Sequence, residues 1–301
     1  MYFAYFGLAF LVAIIWGFSF IAIKLGLHGI PPLFLLTLRL LLTSIPAVFF
    51  IKKPPIPFKQ VALYGFVMFI LQFGMIFAGM HLGISPGLSA LIVQIQIFFS
   101  LILGNLFFQE KPLFWQIIGC FIAFFGLGIV ALHMQGVISF QGFFCLVLGG
   151  FFWSLGNLIS KKLPRINTFS LITWASLFSW PPVLILSLCI EGPTEIFATL
   201  KNINITSVAA VLYISYFSIL IGYGLWSYLT YHVPLFTLSL FTILVPTTAI
   251  ISSVLYLDEP LEQWKIIAAG CILLGLLLNV FSKKLTHYGN IILQKWRVEG
   301  E

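Results

Sequence analysis

Charge is scarce in this chain, and acidic charge is scarcest. Of 301 residues only 8% are charged, and only eight are Asp or Glu. A soluble domain carries about 25% charged residues. A soluble globular fold is therefore excluded, and no stretch is left over for a separate soluble domain. The eight carboxylates are Glu110, Glu191, Glu195, Asp258, Glu259, Glu262, Glu299 and Glu301. They fall in expected loops, near helix ends or in the C-terminal tail, and none at mid-helix. A buried carboxylate relay of the kind common in ion-driven pumps has no support.

Histidine offers little in its place. His28, His81, His133 and His232 fall near helix ends and His287 in the tail. His81 is the one candidate kept for proton coupling. Cys120, Cys145, Cys189 and Cys271 lie in apolar segments without metal-ligand spacing. They read as packing thiols, and neither a metal nor a cofactor is expected. An intramembrane enzyme would need a nucleophile with a base, or clustered metal ligands, at membrane depth. The serines and cysteines there have no histidine or carboxylate beside them. The net charge of +7 is not gathered into a basic domain, so nucleic acid is not an expected partner.

What is abundant is apolar surface. Hydrophobic residues make up 61% of the chain, and the mean hydropathy is +1.12. A spanning helix needs about 20 mostly apolar residues. Ten such segments are expected, near 3–24, 32–51, 60–80, 86–108, 113–133, 140–160, 168–190, 207–229, 235–257 and 262–281. The first lacks a basic leader and is long enough to span, so it reads as a helix rather than a cleaved signal. The fold class is an all-α membrane protein.

The chain also repeats itself. Glu110, Trp115 and Gly126 recur as Glu259, Trp264 and Gly275, 149 positions later. Trp16 and Lys24 recur as Trp153 and Lys161, 137 positions later. The difference of 12 fits one longer loop in the second half, around Glu191–Thr206. The expected divisions are 1–134, 135–282 and a basic tail, 283–301. With a cytoplasmic N-terminus, 11 of the 15 Lys and Arg residues fall on the cytoplasmic side. The positive-inside rule then places both termini there. Five helices per half is an odd number, so the repeats are inverted. Such repeats place a substrate site between them at the membrane midplane.

Polar side chains inside the expected helices are the candidates for that site. Gln72, Gln94, Gln96 and Asn157 could hydrogen-bond a zwitterionic or amide-bearing solute, or simply bond a neighbouring helix. Gln94 and Gln96 are about 200° apart around a helix and cannot face one way. Trp16, Trp153 and Tyr223 could wall a cavity or anchor at the interface. Lys24 and Arg39 are read as structural or gating residues. Arg39 lies about a turn and a half into the second helix, within snorkelling reach of the interface. Salt bridges from this pair to Glu259 or Glu262 are possible. Pro246 is expected to kink the ninth helix.

Several stretches together resemble the ten-helix EamA branch of the drug/metabolite transporter superfamily. They are Trp16-Gly17 with Lys24, LHGIPPLFLLTLR ending at Arg39, GLSALIVQIQIFF, GNLISKK around Asn157, IGYGLW around Tyr223, and LVP ending at Pro246. The resemblance implies a bacterial inner-membrane exporter of small amino-acid-like metabolites, the class of cysteine and O-acetylserine. It also implies a central cavity between the halves. Import, other metabolites or drugs, and a scaffold subunit without a cavity are the alternatives. A nucleotide sugar would want several embedded cations, and only Arg39 is available. A single chain could be complete, with a homodimer as the alternative.

Overall fold

The computed structural model describes residues 2–133, 139–233 and 235–299, and these contain helix and no strand. The boundary expected between residues 134 and 135 lies outside the described residues. In lipid every backbone N–H and C=O must be satisfied within the protein, and helices do this locally. Nine helical segments are long and apolar enough to cross a membrane among the described residues, and a tenth, Pro32–Val48, is shorter at 17 residues.

The ten are α1 (Tyr2–Leu27), α2 (Pro32–Val48), α3 (Phe58–His81), α4 (Pro86–Phe108) and α5 (Phe114–Leu132), followed by α6 (Phe140–Lys162), α7 (Thr168–Ile190), α8 (Ile205–Thr230), α9 (Leu235–Thr242 with Leu244–Leu257) and α10 (Gln263–Glu299). A short helix, Pro193–Lys201, fills the longer loop of the second half. α10 continues as helix through residues 283–299 of the expected basic tail.

The starts of the helices follow local chemistry. Ser85, Ser139, Asn167 and Asn204 cap α4, α6, α7 and α8 through their side-chain oxygens. This satisfies N–H groups that have no partner within the helix. Pro31 opens α2 without a capping side chain. Glu191, from the end of α7, supplies the acceptor: it takes the N–H groups of Leu33 (2.6 Å) and Phe34 (3.0 Å).

Backbone irregularities come in matching pairs. A π-helical stretch interrupts α3 at Phe66–Leu71 and α8 at Tyr213–Ile221. α4 is broken at Gln94–Ile95 and α9 at Ile243. Both helices end on a left-handed residue, Gln109 (φ 56°) and Asp258 (φ 51°). Pro246 was expected to kink α9. It sits instead in the first turn after the break, where its missing N–H does not interrupt the ladder.

The packing matches across the repeat as well. α1 packs on α8 and α9, and α6 packs on the corresponding α3 and α4. α2 packs on α7, and α5 on α10. Thus α1 and α6 each leave their own half and pack in the other. α5 and α10 run antiparallel, with small residues at the crossing. A methyl group added at Gly119 would lie 2.6 Å from the Gly275 carbonyl oxygen, and one at Gly126 2.9 Å from that of Ala268. The outer face of α5 is apolar and open, Phe121 being 72% exposed, as suits contact with lipid tails.

Candidate functional site

Arg39 lies on α2, which packs against both helices that carry the π-helical stretches, α3 and α8. Arg39 is 2% exposed. Its guanidinium carbon stands 3.9 Å from the ring centroid of Phe73 and 5.7 Å from that of Phe77, both on α3. One turn along α2, the Thr43 hydroxyl donates to the Arg39 carbonyl (2.7 Å) and the Ser215 carbonyl (3.3 Å) in the π stretch of α8. Tyr64 of α3 packs edge-on against Phe69 in the π stretch, the ring centroids 6.0 Å apart.

Arg39 was expected to snorkel toward the interface and is instead enclosed. The reason is tertiary: α3 lays two phenylalanines over it and α8 closes the other side. Its Nε and Nη1 atoms are buried without a hydrogen-bond partner. No carboxylate lies within salt-bridge distance of it among the described residues. Contact with an aromatic face offsets a cation by about 0.5–2 kcal/mol. Leaving a buried charge without its partner costs on the order of 3–5 kcal/mol. α7, which corresponds to α2 in the second half, carries no charged residue along its length. The repeat is therefore broken at Arg39.

Of the residues singled out from sequence, Trp16 and Tyr223 join this centre. The Trp16 indole donates to the Ser218 carbonyl (3.0 Å), and its ring lies 5.1 Å from that of Tyr223 and 5.2 Å from that of Trp226. Gln72 adjoins Phe73 on α3, 1% exposed, with its Oε1 unpaired. Gln94 is buried and Gln96 half-buried, flanking the break in α4. The Gln96 carbonyl accepts the Ser154 hydroxyl of α6 (2.9 Å). Trp153 is half-buried against the main core. His81 is exposed at the end of α3, so it lies outside the buried centre.

Asn157 belongs to a different place. It lines a cavity of about 290 Å³ with Ser100, Ser154, Asn279, Glu110 and Lys161. Lys161 of α6 is ion-paired with Glu110 after α4. The matching residues of the other half are Lys24 and Glu259, and they are not bridged. The Lys24 ammonium donates to the Met80 carbonyl (3.3 Å). Glu259 accepts from the Ser85 and Ser253 hydroxyls and pairs with Lys265 (3.4 Å). Glu262 accepts from the Trp264 indole. A second cavity, of about 330 Å³, lies beside Glu259 and Lys265 between α4, α9 and α10. Among the described residues no three His, Cys, Asp or Glu side chains converge in a way that could hold a metal.

Sequence reasoning missed Phe73, Phe77 and Tyr64, three of 43 Phe and Tyr residues with no local mark to separate them. Glu110 and Lys161 were legible as members of the repeat, but their pairing was not.

A polytopic helical membrane protein with matching helix irregularities in its two halves and a buried cation between α3 and α8 has the architecture of a transporter. The chain belongs to the EamA-like transporter family, which it matches over residues 4–132 and 140–281. It is 34% identical over 280 residues to a Salmonella typhimurium protein named as a probable amino-acid metabolite efflux pump, covering 91% of this chain and 94% of the relative. It is 33% identical over 281 residues to the Escherichia coli protein of the same name, again covering 91% and 94%. A solved crystal structure shares the fold at a TM-score of 0.62 and 14% identity, covering 94% of this chain and 98% of that one.

Proposed function

We propose that this transporter exports small amino-acid-like metabolites, of the class of cysteine and O-acetylserine, across the bacterial inner membrane. The observation that carries this reading is the likeness, over 91% of the chain, to two proteins named as probable amino-acid metabolite efflux pumps.

In this reading all ten helices span, the short α2 included, and both termini are cytoplasmic. Residues 1–134 and 135–282 are inverted repeats, followed by the basic tail 283–301. The antiparallel pairing of α5 with α10 supports the inversion. Access alternates by rocking the halves about the centre near Arg39. Trp16, Trp153 and Tyr223 shape the cavity, while Gln72, Gln94, Gln96 and Asn157 offer hydrogen bonds along the path. Lys161–Glu110 clasps the cytoplasmic side, and Lys24–Glu259 is the matching clasp outside, made when the first opens. Pro246 and the break in α9 give that helix a place to bend. The solute moves down its own gradient as a carrier substrate, without chemical conversion. The carrier works in the lipid bilayer as a single chain or as a homodimer.

The test is flux in liposomes of purified protein, with labelled cysteine, O-acetylserine and other amino acids, with and without a pH gradient. Saturable flux of cysteine-like solutes, indifferent to the gradient, is expected. No flux of any amino acid contradicts the substrate class. Flux accelerated by the gradient contradicts the absence of proton coupling.

A further inference from the structure

We propose that Arg39 receives a free carboxylate of the solute, and that the transporter selects for solutes bearing that group. This deepens the transport reading above and rests on it for the route by which the solute arrives.

The argument begins with the missing counter-ion. Four of the described carboxylates are engaged elsewhere: Glu191 with the Leu33 and Phe34 N–H groups and Ser187, Glu110 with Lys161, Glu259 with Lys265 and two serines, and Glu262 with Trp264, and none of the described carboxylates pairs with Arg39. Arg39 keeps two buried donor nitrogens with no acceptor. Guanidinium donors match a carboxylate in geometry and charge. An arginine stays charged under ordinary conditions, so its burial is not relieved by losing a proton.

Position supplies the second part. The guanidinium lies over the Phe73 face, on a helix that packs against α3 of one half and α8 of the other. It is held at the seam of the two halves, where a midplane solute would be passed between them. The π stretches on both flanking helices, Phe66–Leu71 and Tyr213–Ile221, are of a kind that recurs at functional sites. With no fixed anion at the seam, a cationic solute meets unrelieved repulsion there, while an anionic or zwitterionic one cancels the charge.

The experiment compares a free amino acid, its methyl ester, its amide and the corresponding decarboxylated amine. Each is read as a competitor of labelled cysteine flux and as a ligand that raises the thermal midpoint of the purified protein. Carboxylate-bearing solutes are expected to compete and stabilise, with the ester, amide and amine at least about tenfold weaker, since a site built around a charged donor rejects a ligand that cannot meet it. Arg39→Gln is expected to cut flux at least about tenfold and to abolish carboxylate-dependent stabilisation. Arg39→Lys is expected to keep part of both.

Equal competition and stabilisation by ester and acid in the unaltered protein overturns the proposal, and that comparison needs no variant to fold. So does a folded Arg39→Gln protein that still discriminates acid from ester. If the unaltered protein moves no amino acid, the substrate class fails, while the thermal comparison still decides whether Arg39 holds a carboxylate.

Discussion

Lys161 and Glu110 are ion-paired, tying the end of α6 to the loop after α4. The residues in the matching places of the repeat, Lys24 and Glu259, make other bonds. One sequence pattern thus has two states in a single structure. The side chains of the formed pair are 50% and 58% exposed. Such a pair contributes about 0–1 kcal/mol to stability. Glu110→Gln is therefore expected to leave the unfolding midpoint nearly unchanged while lowering flux, and the exchange of Lys161→Glu with Glu110→Lys to restore it. Thermal unfolding and liposome flux on the same preparations check both.

The α5–α10 crossing gives a prediction about stability alone. A methyl at Gly119 would meet the Gly275 carbonyl oxygen at 2.6 Å, whereas one at Gly128 would meet nothing within 4 Å. Overpacking costs about 1–3 kcal/mol, so Gly119→Ala should lower the unfolding midpoint in detergent. Gly128→Ala in the same helix should leave it unchanged or raise it, because alanine is the better helix former.

Glu191 caps α2 from another helix. Replacing it with alanine strands the Leu33 and Phe34 N–H groups and the Ser187 hydroxyl. Loss of a cap costs about 0.5–2 kcal/mol. Glu191→Ala is expected to lower the unfolding midpoint by that amount, with faster amide exchange confined to the first turn of α2. Mass-spectrometric exchange reads the second effect.

His81 is exposed, and among the described residues no carboxylate lies within salt-bridge distance of Arg39. His81→Gln should leave flux and its response to a pH gradient unaltered. A loss of counter-transport with normal protein levels would make His81 a coupling residue.

Much of the fold was legible because lipid makes helices obligatory, so apolar length alone marks the segments. The repeat was legible from the recurrence of Glu110, Trp115 and Gly126. The break in α4 was not, since neither glycine nor proline stands at Gln94-Ile95. It occurs where α6 comes close: a methyl at Gly150 would lie 2.6 Å from an Ile95 side-chain carbon. Pro246 did signal the break in α9, displaced by three residues. The residues gathered around Arg39 were legible only in part. Trp16 and Tyr223 were singled out by their glycine and polar neighbours. Arg39 was noticed, but its role was assigned from its depth in one helix. Its enclosure depends on Phe73 and Phe77, residues that only packing distinguishes from the rest of an aromatic-rich chain.

The most direct test of alternating access uses cysteine pairs in place of Glu110 with Lys161 and of Lys24 with Glu259, with the four native cysteines replaced. Either cross-link alone should stop flux, reduction should restore it, and adding solute should shift the balance between the two links. Flux continuing at full rate with either link complete would contradict the account.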